Sequence, residues 1–282
     1  MTRAERLVFC KQCKNRHLDF NKGLLCNLTS KEADFEGECS DYFYDSSSNY
    51  IPKPKEAIRP NGQRAKWAEY ILWGLLGLSF LSLISSYLQY DLLLKVEEGF
   101  YVSDNELTLN DIREGIVGIT NIILYITSVI FFIRWFRRAY YNLNSRSGTS
   151  HDEGWAAGSW FVPFLNLYRP VQIMNEIDEG NSALITRYSH ESSKKNSFLI
   201  GSWWALWILG GIIGRYIFKT SMRANTLNEL IQSTQADMFG QLIDIPLTIL
   251  AILVIRAVSK KETLLAKLEI QKEENSTLEE SN

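Results

Sequence analysis

The chain has 282 residues, with 30 Lys and Arg against 32 Asp and Glu and a formal charge of −2. That balance gives no whole-chain electrostatic reason to expect nucleic acid as a partner. With only 17 Gly and 6 Pro, fibrous and low-complexity classes are excluded.

Nothing between Met1 and the first cysteines forms the apolar run of a secretory signal, so none is expected. The first element is a cysteine module over residues 1–45, spaced Cys10-x2-Cys13-x12-Cys26-x12-Cys39. Four thiolates make a soft, tetrahedral donor set that suits Zn²⁺. In a reducing compartment, structural zinc is favoured over an iron–sulfur or redox role and over free thiols or disulfides. A short segment with few apolar residues also needs such a staple to fold. Four cysteines leave no open coordination position, so the metal would be structural and His17 is read as an exposed histidine. Residues 46–66, with three serines in a row and Pro52, Pro54 and Pro60, read as a linker.

A membrane domain is expected over 67–260. Residues 70–90 are 21 positions without a charge, long enough to cross a hydrocarbon core at ~1.5 Å per residue; the first span is read as 67–90. Residues 116–133 form a second uncharged run, closed by Arg134, Trp135, Arg137 and Arg138 as a basic and aromatic anchor. Residues 198–214 are a third. Residues 238–255 are a fourth, interrupted by Asp244 and Pro246. Lys and Arg number 12 in 1–66, two in 91–115, eight in 134–197, three in 215–238 and five in 256–282. This alternation sets both termini and 134–197 in the cytoplasm. Residues 261–282 form a charged tail with a stripe of Leu264, Leu265 and Leu268.

Residues 154–170 are apolar and aromatic but too short before Pro163 to span. Pro163 is expected to end one helix and Pro170 to sit in the first turn of the next. The result is a helix–break–helix that is either interfacial or re-entrant. On the second helix Arg169, Gln172 and Glu176 share one face. They are candidate ligand-facing residues, weighed against the plain solvated face of an interfacial helix. Arg215 and Asp244, on consecutive antiparallel spans, are a candidate intramembrane pair. The competing reading lets Arg215 snorkel outward alone.

The stretch Arg134-Trp135-Phe136-Arg137-Arg138-Ala139-Tyr140-Tyr141-Asn142-Leu143 is the most specific part of the chain, together with Gly154-Trp155, Trp160-Phe161-Val162-Pro163 and Leu167-Tyr168-Arg169-Pro170. On these residues the sequence resembles the family known as domain of unknown function 4328, from roughly 67 to 260. It departs at Asp178, where the family often carries an aromatic. The resemblance implies a bacterial membrane protein of about four helices and implies no activity. The head is similar to short four-cysteine modules attached to various bacterial membrane proteins.

No HExxH, GxSxG, Walker A or dinucleotide fingerprint is present, so a catalytic role is not favoured. The resulting expectation is an all-α, four-helix transmembrane bundle in the cell (inner) membrane, preceded by a small zinc-binding head. It would act as a membrane-anchored docking or sensing module, with the bilayer, a cytoplasmic protein or a second copy as partners. The alternative is a small transporter or a ligand- or lipid-binding membrane protein using the polar face at the cytoplasmic interface. A lipid-modifying enzyme is a third, weaker reading.

Overall fold

A computed structural model describes residues 1, 3–19, 23–45 and 57–280. Residues 46–56 of the expected linker therefore lie outside the described residues. Elements follow as α1 (Arg3–Lys11), β1 (Arg16–Asp19), β2 (Gly23–Cys26), α2 (Gly62–Glu97), α3 (Asp104–Ser147), α4 (Trp155–Gly158), α5 (Arg169–Ser189), α6 (Ser197–Ser221) and α7 (Leu227–Glu280). They fall into two compact units: 1–62 with 134–196 and 258–282, and 63–133 with 197–257.

The second of these, the span unit, carries the apolar parts of α2, α3, α6 and α7, four helices long and apolar enough to cross a membrane. Each is longer than its uncharged run, because helices continue past the point where charges resume. The apolar windows are only 11% to 33% buried inside the protein, so most of that surface needs an apolar solvent. This is the arrangement of a multi-pass membrane protein. On α2 the buried face is Leu72, Leu76, Ser79, Ser82, Ser85 and Ser86. Small side chains at these spacings let helices approach and bond one another. Asn121 Nδ2 donates to Ser82 Oγ at 2.6 Å, Arg113 Nε to Ser85 Oγ at 2.9 Å and Gln241 Nε2 to Ser86 Oγ at 3.2 Å. Phe132 packs on Trp203 with ring centroids 5.6 Å apart. Two helices open on reciprocal caps. Ser103 N donates to Glu106 Oε2 at 3.0 Å and Glu106 N to Ser103 Oγ at 3.3 Å. Thr226 N donates to Glu229 Oε2 at 3.0 Å and Glu229 N to Thr226 Oγ1 at 3.3 Å.

The other unit, the head unit, has a core of aromatic and branched residues. Trp135, Phe136, Tyr140 and Leu143 of α3, Ile173, Met174, Ile177 and Leu184 of α5, and Val258 and Leu265 of α7 are all 1% exposed or less. Gly180 lets α5 close on α3, since a Cβ there would sit 2.6 Å from Leu143 Cδ1. The residues 258–280 continue α7 as helix, with Leu265 fully buried, so the stretch expected as a charged tail is partly core.

The expected helix–break–helix is shaped differently from the reading above. Its first helix is the single turn of α4, ending at Gly158 and not at Pro163. Residues 159–164 turn, Leu165–Leu167 form a 3₁₀ turn, and α5 starts at Arg169 with Pro170 in its first turn. Phe164 takes φ 64°, a left-handed conformation that a side chain of this size rarely adopts. The cysteine head also adds a hairpin, with Arg16 opposite Cys26 and Asp19 opposite Gly23.

Candidate functional site

The head carries its four cysteines on α1, the turn after it, β2 and the returning stretch. Cys10 lies in the last turn of α1, and Cys13 follows with its N–H on Cys10 O at 3.2 Å. Cys26 closes β2. The returning stretch 41–45 runs beside 12–16: Lys14 N donates to Phe43 O at 2.7 Å and Asp45 N to Gln12 O at 2.8 Å. Arg16 Nη1 binds both Cys13 O at 2.9 Å and Asp45 Oδ2 at 2.5 Å. That return carries Cys39 to the same end as the α1 turn. All four thiols are free. Burial, then Cys13, Cys39 and Cys26 in that order, push the Cys10 thiol up to about 11, which means the other three act directly on it. Among the described residues no three His, Cys, Asp or Glu side chains stand in ready ligand geometry. The fit to a metal therefore rests on four soft donors in one neighbourhood, and Cys10, Cys13, Cys26 and Cys39 are the residues that would hold it.

The head is fastened to the rest of its unit. Arg187 Nη1 of α5 donates to Glu5 Oε1 of α1 at 2.8 Å. Val8 Cγ2 lies 3.9 Å from where a Cβ on Gly148 would be. Beside the hairpin, Lys11, Arg16, Leu18 and Leu24 line a cleft of about 430 Å³.

The proposed polar face of α5 divides. Glu176 turns inward: Tyr140 Oη donates to its Oε2 at 2.8 Å and Ser150 N to its Oε1 at 2.5 Å. Arg169 contacts His151, with Nη1 2.6 Å from Nε2, and stacks beside Tyr168. Gln172 is exposed. Burial, then the charges of Arg169, Arg3 and Lys11, push the His151 imidazole down to about 4, against a weaker pull from Asp152. His151 is therefore neutral near pH 7, and its Nε2 is the acceptor for the guanidinium. Arg169, His151, Trp155 and Leu165 line a small cavity of about 160 Å³.

Two buried polar groups were not singled out from sequence. Lys261 Nζ donates to Asp178 Oδ1 at 2.6 Å and to Ser182 Oγ at 2.7 Å. Asp178, 1% exposed, also receives Asn196 N at 2.7 Å and Asn196 Nδ2 at 2.8 Å. Glu262 receives Asn61 Nδ2 at 2.9 Å and Asn142 Nδ2 at 3.1 Å. Adjacent Lys and Glu in an apparent tail carry no sequence signal of burial. The departure at Asp178 was the one available hint.

In the span unit Arg215 is exposed, and the ion pairs among the described residues do not join it to Asp244. A Cβ on Gly210 would sit 4.0 Å from Asp244 Oδ1. Gly210 is five residues before Arg215, ~7.5 Å along the helix axis. Asp244 thus lies against α6 near Gly210.

No curated protein and no solved structure matches the chain. A family model described as Domain of unknown function (DUF4328) matches residues 99–260. That match takes in the Arg134–Leu143 segment, the α4 to α5 turn and the last two apolar helices, more than half of the sequence, and the chain belongs to the DUF4328 family.

Proposed function

We propose that the protein is a membrane-anchored docking or sensing module whose cytoplasmic head folds around one Zn²⁺ held by Cys10, Cys13, Cys26 and Cys39. The observation that supports this reading is four free thiols in a head with very little core, with Cys13, Cys26 and Cys39 all acting on Cys10. Leu7, Cys13 and Leu25 are the only apolar side chains buried among its described residues. So small a core is inadequate to fold 45 residues, and a structural metal supplies the missing folding free energy. The Glu5–Arg187 ion pair gives the head a fixed seat on α5. The cleft of Lys11, Arg16, Leu18 and Leu24 suits an apolar segment bearing acidic residues on a partner protein.

Metal analysis of the purified full chain tests the proposal. The expected result is about one zinc per chain, lowered by Cys26→Ser, with faster proteolysis inside residues 1–45 of the variant. Four titratable free thiols and no metal in the purified chain would overturn it.

A further inference from the structure

The search outside the cysteine head leads to the cavity at the start of α5 and the aromatic turn above it. Residues 154–168 are 15 consecutive positions without a charge, bounded by Glu153 and Arg169. Their apolar side chains do not all enter the core. Phe161 is 73% exposed, Phe164 80% and Leu167 49%. Phe164 is held outward by a left-handed backbone at φ 64°. A strained residue persists only where its surroundings hold it, and such outliers gather at binding sites. In a protein with four membrane-crossing helices, the solvent on hand for exposed rings of this kind is the bilayer.

At the foot of this turn stands Arg169. Its guanidinium spends one N–H toward His151 Nε2 and forms no ion pair among the described residues. The nearest carboxylate on its own helix face, Glu176, is committed to Tyr140 and Ser150. His151 is neutral and serves as an acceptor that orients the guanidinium plane, leaving the remaining donors for a ligand. The cavity bounded by His151, Trp155, Leu165 and Arg169 is about 160 Å³, the share of about five waters at ~30 Å³ each. That is room for a phosphate group. A guanidinium fork matches phosphate oxygens in pairs, and the first turn of α5 adds its positive end.

We infer that this cavity is a phospholipid headgroup site, in which Arg169 binds the phosphate and Phe161 and Phe164 seat in the acyl region beside it. The shared chemistry is a phosphate ester, and the committed source is a membrane lipid. The inference does not depend on the metal proposed for the head, because none of these residues is among its four cysteines.

The test uses the full chain in detergent, titrated with dioctanoyl phosphatidylglycerol, dioctanoylglycerol and inorganic phosphate and read by native mass spectrometry. Phosphatidylglycerol should bind, dioctanoylglycerol should not, and inorganic phosphate in large excess should fail to displace the lipid. Arg169→Gln should weaken binding about tenfold or more, with Arg169→Lys intermediate. Phe164→Gly suits the left-handed backbone, so it should keep or raise thermal stability while losing lipid. Unchanged binding by Arg169→Gln and Phe164→Gly, or equal binding of dioctanoylglycerol, would overturn the site. Displacement by inorganic phosphate with no effect of Phe164→Gly would overturn the lipid as its source.

Discussion

Asp178 shows what a single side chain can cost and repay. Its carboxylate is sealed from water and receives Lys261 and two donors of Asn196, so it links α5, α7 and the entry to α6. Removing one partner of a buried pair strands the other. Lys261→Met should therefore destabilise the protein by about 3–5 kcal/mol, while adding Asp178→Leu should recover most of that loss. Thermal unfolding of the two variants beside the parent checks the pattern; equal loss in both would show that the pair itself holds the unit together. The four cysteines, Arg169 and Glu176 could be picked out from sequence because thiol spacing and helical periodicity are local signals. The positions that engage Arg169 and Glu176, His151 and Tyr140, belong to other stretches, and no periodicity predicts which rings meet across a fold. The Arg215–Asp244 expectation is an argument about depth along two helices, and a thermal double-mutant cycle of Asp244→Asn with Arg215→Gln would read any coupling between them.

At the scale of elements, the apolar runs located all four long helices, because three uncharged runs of 17 to 21 residues and a fourth whose only charge is Asp244 leave few alternatives. Their ends were less legible. Charges resume well before α3 and α7 stop, and those charged turns stay helical because they bury Trp135, Tyr140 and Leu265 in the head unit. The starts were written in the sequence: Ser103 with Glu106 and Thr226 with Glu229 are capping boxes. The α4 turn is short because beyond Gly158 the backbone bonds tighten to i−3, Trp160 N to Ala157 O and Phe161 N to Gly158 O, ahead of Pro163. Contact between α3 and α5 rests on Gly180. Three side-chain atoms of Leu143 lie between 2.6 and 3.4 Å from the place a Cβ would take, so Leu143 must leave its packed position to admit one. Gly180→Ala should cost about 1–3 kcal/mol as overpacking. Combined with Leu143→Ala it should be clearly less than additive, which a thermal double-mutant cycle would read.

For the whole molecule, orientation is the property that sequence argues most directly. Across residues 91–115, the end of α2, the short loop and the start of α3, the chain carries seven acids against Lys95 and Arg113, and the basic-residue alternation predicts that this side faces outward. A cysteine at Glu98, placed in a chain with its four native cysteines replaced, should react with a membrane-impermeant thiol reagent added to intact cells. Reaction only after the membrane is opened would reverse the assignment, and with it the cytoplasmic placing of the head.

The head unit is assembled from three separate stretches, 1–62, 134–196 and 258–282. Asn61 reaches Glu262 across 201 residues, and Arg146 reaches Glu269 across 123. Synthesis proceeds from the first stretch to the last, so the early two must wait for the final turns of α7 before their buried polar groups find partners. Closure over such separations is slow, and until then Asp178, Asn61 and Arg146 lack their acceptors and donors from α7. A product interrupted before residue 258 would keep its membrane helices yet display an unfinished head unit to the cell's proteases. The buried polar groups of the head unit are thus closed last, by the residues of α7 from 258 onward.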